Sequence, residues 1–225
     1  GNKGGTTAAP ASDAQSGNLN TADTNSSSQS GNSASEGGGT SVSASVAVNY
    51  VDTDNAAIIG GGVTINATGN LEVKASSSVD AIARGLSTST NSDADTGVAA
   101  AVALNIALVN NTAHVGDAAS LTADNINVEA VMISGETNTF QSRALAGAAS
   151  SDTAVGGSIS INYIDQDTNA TVGNNVTLNA TSGNIVVAAE SLNEIQNLAG
   201  GAALSTEGGT GIGVAIAINI VDDLD

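Results

Sequence analysis

Residues 99–111 read AAAVALNIALVNN, and this stretch decides the fold. Alone it suits a helix, because Ala and Leu favour one. Three sister segments answer otherwise: SASVAVNYVDTDN at 43–55, GGSISINYIDQDT at 156–168 and GVAIAINIVDDLD at 213–225. Ser, Val and Ile dominate them, and their branched side chains suit strands better than helices. The alternation has period two. Val46, Val48 and Tyr50 share one face, while Ala47 and Asn49 share the other. Val102, Leu104, Ile106 and Leu108 alternate in the same way with Ala103, Asn105 and Ala107. That period is the signature of a strand.

The four segments are copies of one unit. Their shared asparagines are Asn49, Asn105, Asn162 and Asn219. They recur at an even spacing of about 57 residues, which marks a tandem repeat. Gly60, Gly116 and Gly173 follow the first three at one fixed offset. A second shared piece comes next: VTINATGNLEVKA (63–75), SLTADNINVEA (120–130) and VTLNATSGNIVVAA (176–189). A looser third piece closes each unit: DAIARGLSTST, FQSRALAGAAS and IQNLAGGAALS. The repeats predicted are 41–96, 97–153 and 154–210, with a partial fourth at 211–225 that stops in mid-unit. Residues 1–40 carry almost no large apolar side chain. They read as a polar lead-in or as an N-terminal cap along the first repeat; SGNLN at 16–20 echoes TGNLE at 68–72.

Short strands at even spacing in a tandem array predict an all-β fold, a β-solenoid in which each coil hydrogen-bonds to the next. A period near 57 divides into three coils of about 19 or two of about 28, and three is the division preferred. An antiparallel β-sandwich or hairpin array is the rival. One unit cannot bury enough apolar surface to order itself, so neighbouring units must stack.

Composition narrows the function. The chain has 225 residues, 22 acidic against four basic, and a formal charge of −18. Nucleic-acid affinity comes largely from basic residues neutralising phosphates, so nucleic acid is excluded as a partner. An anionic membrane surface is disfavoured equally, and the longest apolar run, 97–109, is too short for a membrane-spanning helix. Cysteine and tryptophan are absent, and Tyr50, Phe140 and Tyr163 are the only aromatics. A substrate pocket ordinarily draws on far more aromatic surface.

Units of the form SVAVNYV…AIIGGGVTINATGNLEVKAS resemble the Gly/Ala/Asn-rich repeats of large bacterial surface and secreted proteins, the autotransporter passengers and filamentous-haemagglutinin-like adhesins. The resemblance covers about residues 43–225. It implies a right-handed parallel β-helix, a location outside the cell or on its surface, and an adhesive or fibre-forming role. It carries over no catalytic residue.

Chemistry-bearing residues are few. His114 is the only histidine, and its equivalents are Ile58 and Thr171, which reads as a drifted repeat position. No Ser–His–Asp constellation and no set of acids with basic or aromatic substrate contacts is evident, so no enzyme and no cofactor is expected. Asp52 and Asp54 recur as Asp165 and Asp167, and Asp222 and Asp223 follow in the last copy. Such paired carboxylates offer hard oxygen ligands to Ca²⁺. The plainer reading is a solvated turn. The shared asparagines lie on the small-residue face, as stacked or backbone-bonding amides.

The expected function is therefore structural: a solenoid that assembles head to tail with copies of itself into fibres or a matrix layer. Its expected assembly edges are Ile216, Ile218 and Ile220 at one end and Val46, Val48 and Tyr50 at the other. A segment binding Ca²⁺ or host or matrix glycans is the alternative, and a polysaccharide-active enzyme is a remote third.

Overall fold

The computed structural model describes residues 14–30 and 39–222; for 14–30 it describes the backbone alone. The described residues form strands and no helix. Three parallel sheets account for them. Sheet I holds β1 (Ala14–Ser30), β4 (Leu71–Thr90), β7 (Ile126–Met132), β8 (Asn138–Ser150), β11 (Ile185–Ala189) and β12 (Asn193–Ser205). Sheet II holds β2 (Thr40–Ile59), β5 (Thr96–Val115), β9 (Thr153–Val172) and β13 (Thr210–Asp222), in the order β13-β9-β5-β2. Sheet III is short: β3 (Thr64–Asn66), β6 (Ser120–Ala123) and β10 (Thr177–Ala180).

Every pairing is parallel, which removes the antiparallel alternative. The chain runs through sheets II, III and I and then returns to sheet II. Thr40 pairs with Thr96, Thr96 with Thr153 and Thr153 with Thr210. Strand partners thus lie one full sequence period apart, and neither predicted division of the period into shorter coils is found. The reason lies in the third shared piece. DAIARGLSTST does not form a coil of its own; it continues the strand begun at Leu71, so that β4 runs unbroken for 20 residues. Its partner is split. Residues 71–77 pair with β7, and residues 80–90 pair with β8. Between β7 and β8 an ISGET turn, with Gly135 at φ 86°, carries the extra residues outward.

The lead-in contains a strand. β1 lies parallel to β4 with Ala14 beside Leu71 and Ser30 beside Ser87. Leu19 stands beside Ser76, so the SGNLN echo is not the structural register. The rest of the lead-in, 1–13 and 31–38, falls outside the described residues, as does Asp223.

Sheets I and II face each other, and the space between them is a wedge. At the wide end, beside sheet III, the core is conventional: Leu71, Val73, Val115, Leu121, Ile126 and Val128 are fully buried. Val51, Val79, Phe140 and Ile164 fill the middle. At the narrow end the core is alanine, with Ala83, Ala99, Ala101, Ala103, Ala144, Ala146, Ala148 and Ala154 packed together. Serines bridge the sheets there: Ser87 Oγ donates to Ser43 Oγ at 2.8 Å, and Ser160 Oγ to Ser142 Oγ at 2.9 Å. The approach is close enough that Gly85 could not carry a side chain, since a Cβ would sit 2.7 Å from the Val102 carbonyl oxygen.

The turns between sheets II and III repeat one conformation. Gly62, Ala118 and Asn175 occupy equivalent positions and take φ of 69°, 57° and 57°. This left-handed region suits glycine and tolerates asparagine, but an alanine there is strained.

Candidate functional site

The narrow interior has an unexpected consequence for sheet II. At the narrow end its small face points inward and its large apolar face points outward. Along the first part of β2 the buried residues are Ser41, Ser43, Ser45, Ala47, Asn49 and Val51, whereas Val46, Val48 and Tyr50 are 52–60% exposed. The register continues this arrangement through the other strands. Val46, Val102, Ile159 and Ile216 form one column, and Val48, Leu104, Ile161 and Ile218 the next. All six predicted assembly-edge residues therefore lie in the two outer strands of sheet II, on its outward face.

On the inward face the shared asparagines stack. Asn49 Nδ2 donates to Asn105 Oδ1 at 2.9 Å, and Asn105 Nδ2 to Asn162 Oδ1 at 3.0 Å. Asn105 Nδ2 also reaches the Ala81 carbonyl at 3.0 Å, and Asn162 Nδ2 reaches those of Phe140 and Gln196 at 3.1 and 3.0 Å. These contacts tie sheet II to sheet I. Asn219 pairs with Asn162 in the strand register. A second ladder runs from Asn55 Nδ2 to Asn111 Oδ1 at 2.8 Å, and a third from Asn138 Nδ2 to Asn193 Oδ1 at 3.0 Å. In all three, the earlier repeat donates to the later one. A buried amide without partners is costly, and stacking satisfies one amide with the next.

The paired aspartates lie on the outward face of sheet II, beyond the apolar columns. Asp52, Leu108, Asp165 and Asp222 share one column, and Asp54, Asn110 and Asp167 the adjacent one. Four of the aspartates, Asp52, Asp54, Asp165 and Asp167, line a shallow concavity of about 230 Å³. Leu108 and Asn110 separate the first pair from the second, which leaves them two strands, roughly 9.6 Å, apart at ordinary strand spacing. Asn110 Nδ2 donates to Asp54 Oδ1 at 3.1 Å. Among the described residues, no three His, Cys, Asp or Glu come close enough together to hold a metal ion. The Tyr50 hydroxyl donates to Asp52 Oδ2 at 3.4 Å. The neighbouring Asp52 charge raises the phenol above its ordinary value near 10, with smaller contributions from desolvation and that hydrogen bond.

Basic groups sit on the outward face of sheet I. Arg84 pairs in register with Arg143 and donates through Nη2 to Gln141 Oε1 at 2.7 Å. Gln141 in turn donates to Gln196 Oε1 at 2.7 Å. Lys74 and Glu129 form a cross-strand ion pair at 3.4 Å. His114 stacks between Ile58 and Thr171, with Nδ1 2.8 Å from Thr171 Oγ1. Sequence reasoning anticipated the amide stacking but not the outward-facing apolar columns; the signal was present in the alternation, whose large and small faces are both unambiguous.

No protein-family model, curated protein sequence or solved structure matches the chain.

Proposed function

We propose that this chain is a non-catalytic structural segment. It is a β-solenoid whose repeats, 41–96, 97–153, 154–210 and 211–225, each contribute one layer, and it builds fibres or a matrix layer at a bacterial cell surface by head-to-tail stacking. The observation that carries this reading is the in-register parallel pairing, in which like residues lie over like residues. A stack of that kind extends by repeating itself. The amide ladders reinforce the register, because each stacked asparagine meets its counterpart in the next layer. Any layer placed on β13 would meet Asn219 and the Ile216, Ile218 and Ile220 columns in the same register. Heterologous contacts of this kind produce open filaments.

Negative-stain microscopy of the concentrated protein tests the reading. Filaments with a width matching a single solenoid are expected. Single particles at every concentration overturn it.

The alternative, an adhesin segment, draws support from the acidic concavity and from the Arg84–Gln141–Gln196 chain, which offers donors to a glycan. Calorimetry with Ca²⁺ and with a glycan panel distinguishes the two. Saturable binding by a chain that does not polymerise favours the adhesin.

A further inference from the structure

The outward face of sheet II points to an interaction that axial stacking does not use. Five columns, from that of Val98 to that of Ile106, carry only Val, Leu, Ile, Tyr, Ala or Gly across all four strands. At ordinary strand rise and spacing they cover about 33 Å by 19 Å, roughly 600 Å². Apolar patches of that size on a soluble protein mark contact surfaces. The patch has the anatomy of an interface, apolar at the centre and polar at the rim. A column of four threonines, Thr40, Thr96, Thr153 and Thr210, bounds it on one side, and the Asp52 column bounds it on the other.

We infer that this face pairs side by side with the same face of a second copy. Two such faces together bury about 1,200 Å², which reaches the range of specific, stable interfaces. A sheet whose strands are in register presents the same columns to each copy, and aligned sheets pack face to face about 10 Å apart. Charge selects the arrangement. A two-fold axis parallel to the strands would lay the acidic column against itself, with Asp52 of one copy facing Asp222 of the other, and opposed like charges destabilise a sheet contact. A two-fold axis along the stacking direction, through the column of Val102, sets the acidic column against the threonine column instead. In that pair the strands of the two copies run in opposite directions and the stacking axes run the same way. The contact is isologous and closes at two copies, whereas axial stacking is open-ended.

Light scattering on the intact chain, with and without Leu104→Lys/Ile161→Glu, tests the pairing. Those side chains point outward and are adjacent in register, so the new charges form a cross-strand pair that spares the sheet. The wild type is expected to show a species of twice the 21.6 kDa chain mass. The double variant should lose that species while its far-ultraviolet circular dichroism is unchanged. If it fails to fold, Leu104→Thr/Ile161→Thr wets the same face with residues that favour strands and should also abolish the pair. A wild type that stays at one chain mass overturns the inference, as does a folded variant whose mass profile matches the wild type's. Open-ended growth that persists in the variant belongs to axial stacking and leaves the two proposals separable.

Discussion

Asn105 is the most informative single residue to change. It is fully buried, and its amide makes three hydrogen bonds, two to neighbouring asparagines and one to the Ala81 carbonyl of the facing sheet. Asn105→Ala removes all three. Two buried acceptors then lose a donor, Asn162 Oδ1 and the Ala81 carbonyl oxygen, and the Asn49 amide loses an acceptor. A buried polar group that loses its partner costs about 1–3 kcal/mol, but Asn162 retains its donations to Phe140 and Gln196. A loss of about 3–5 kcal/mol in unfolding free energy follows, with a small further part from the void left behind. The control is Asn110→Ala. Asn110 lies one strand residue outside the second ladder, is exposed, and donates only to the exposed carboxylate of Asp54 among its side-chain nitrogen contacts. Its loss should cost below about 0.5 kcal/mol. Urea denaturation followed by circular dichroism gives both values. If Asn105→Ala costs no more than Asn110→Ala, the amide ladder does not hold the sheets together.

Three further outcomes follow from particular contacts. Ala118 occupies the left-handed turn position that Gly62 and Asn175 share with it, so Ala118→Gly should raise stability by about 1 kcal/mol in the same denaturation assay. Gly156 and Gly157 are adjacent but face opposite ways. A Cβ on Gly156 would collide with the Ala202 carbonyl, while one on Gly157 meets nothing within 4 Å. Gly156→Ala should therefore cost about 1–3 kcal/mol or fail to fold, and Gly157→Ala should be neutral or slightly stabilising. The Asp52 charge opposes ionisation of Tyr50, so in Asp52→Asn the phenolate should form at a lower pH than in the wild type. Ultraviolet titration on a Tyr163→Phe background reads this directly, and an unchanged midpoint would show that Asp52 does not govern it.

Much of the fold can be read in the residues. Period-two alternation over 43–50 and 99–108 identifies strands where Ala and Leu alone suggest a helix, because Ser, Val and Ile in the sister copies make that helix poor. The even spacing of Asn49, Asn105, Asn162 and Asn219 identifies which residues lie over which. The polar site was legible in part. Stacked amides follow from a repeated Asn on a small-residue face. Leu108 and Asn110 follow from the same spacing as the second-copy counterparts of Asp52 and Asp54; only the structure shows that consecutive copies are neighbouring strands and that this side faces outward.

By itself the sequence determined the strands, their alternating faces and the residues that recur, since these depend on local backbone preference and on spacing along the chain. Tertiary structure decided how many corners one period turns and which face looks inward. The repeat length is compatible with several coil lengths until it is known that Leu71–Thr90 is one continuous strand. Hydrophobicity alone would place Val, Leu and Ile in the core of sheet II. At the narrow end the close approach of sheet I leaves room only for Ala, Ser, Gly and amides that satisfy one another, so the larger side chains there face outward, whereas Val51, Ile164 and Val115 face inward where the space widens.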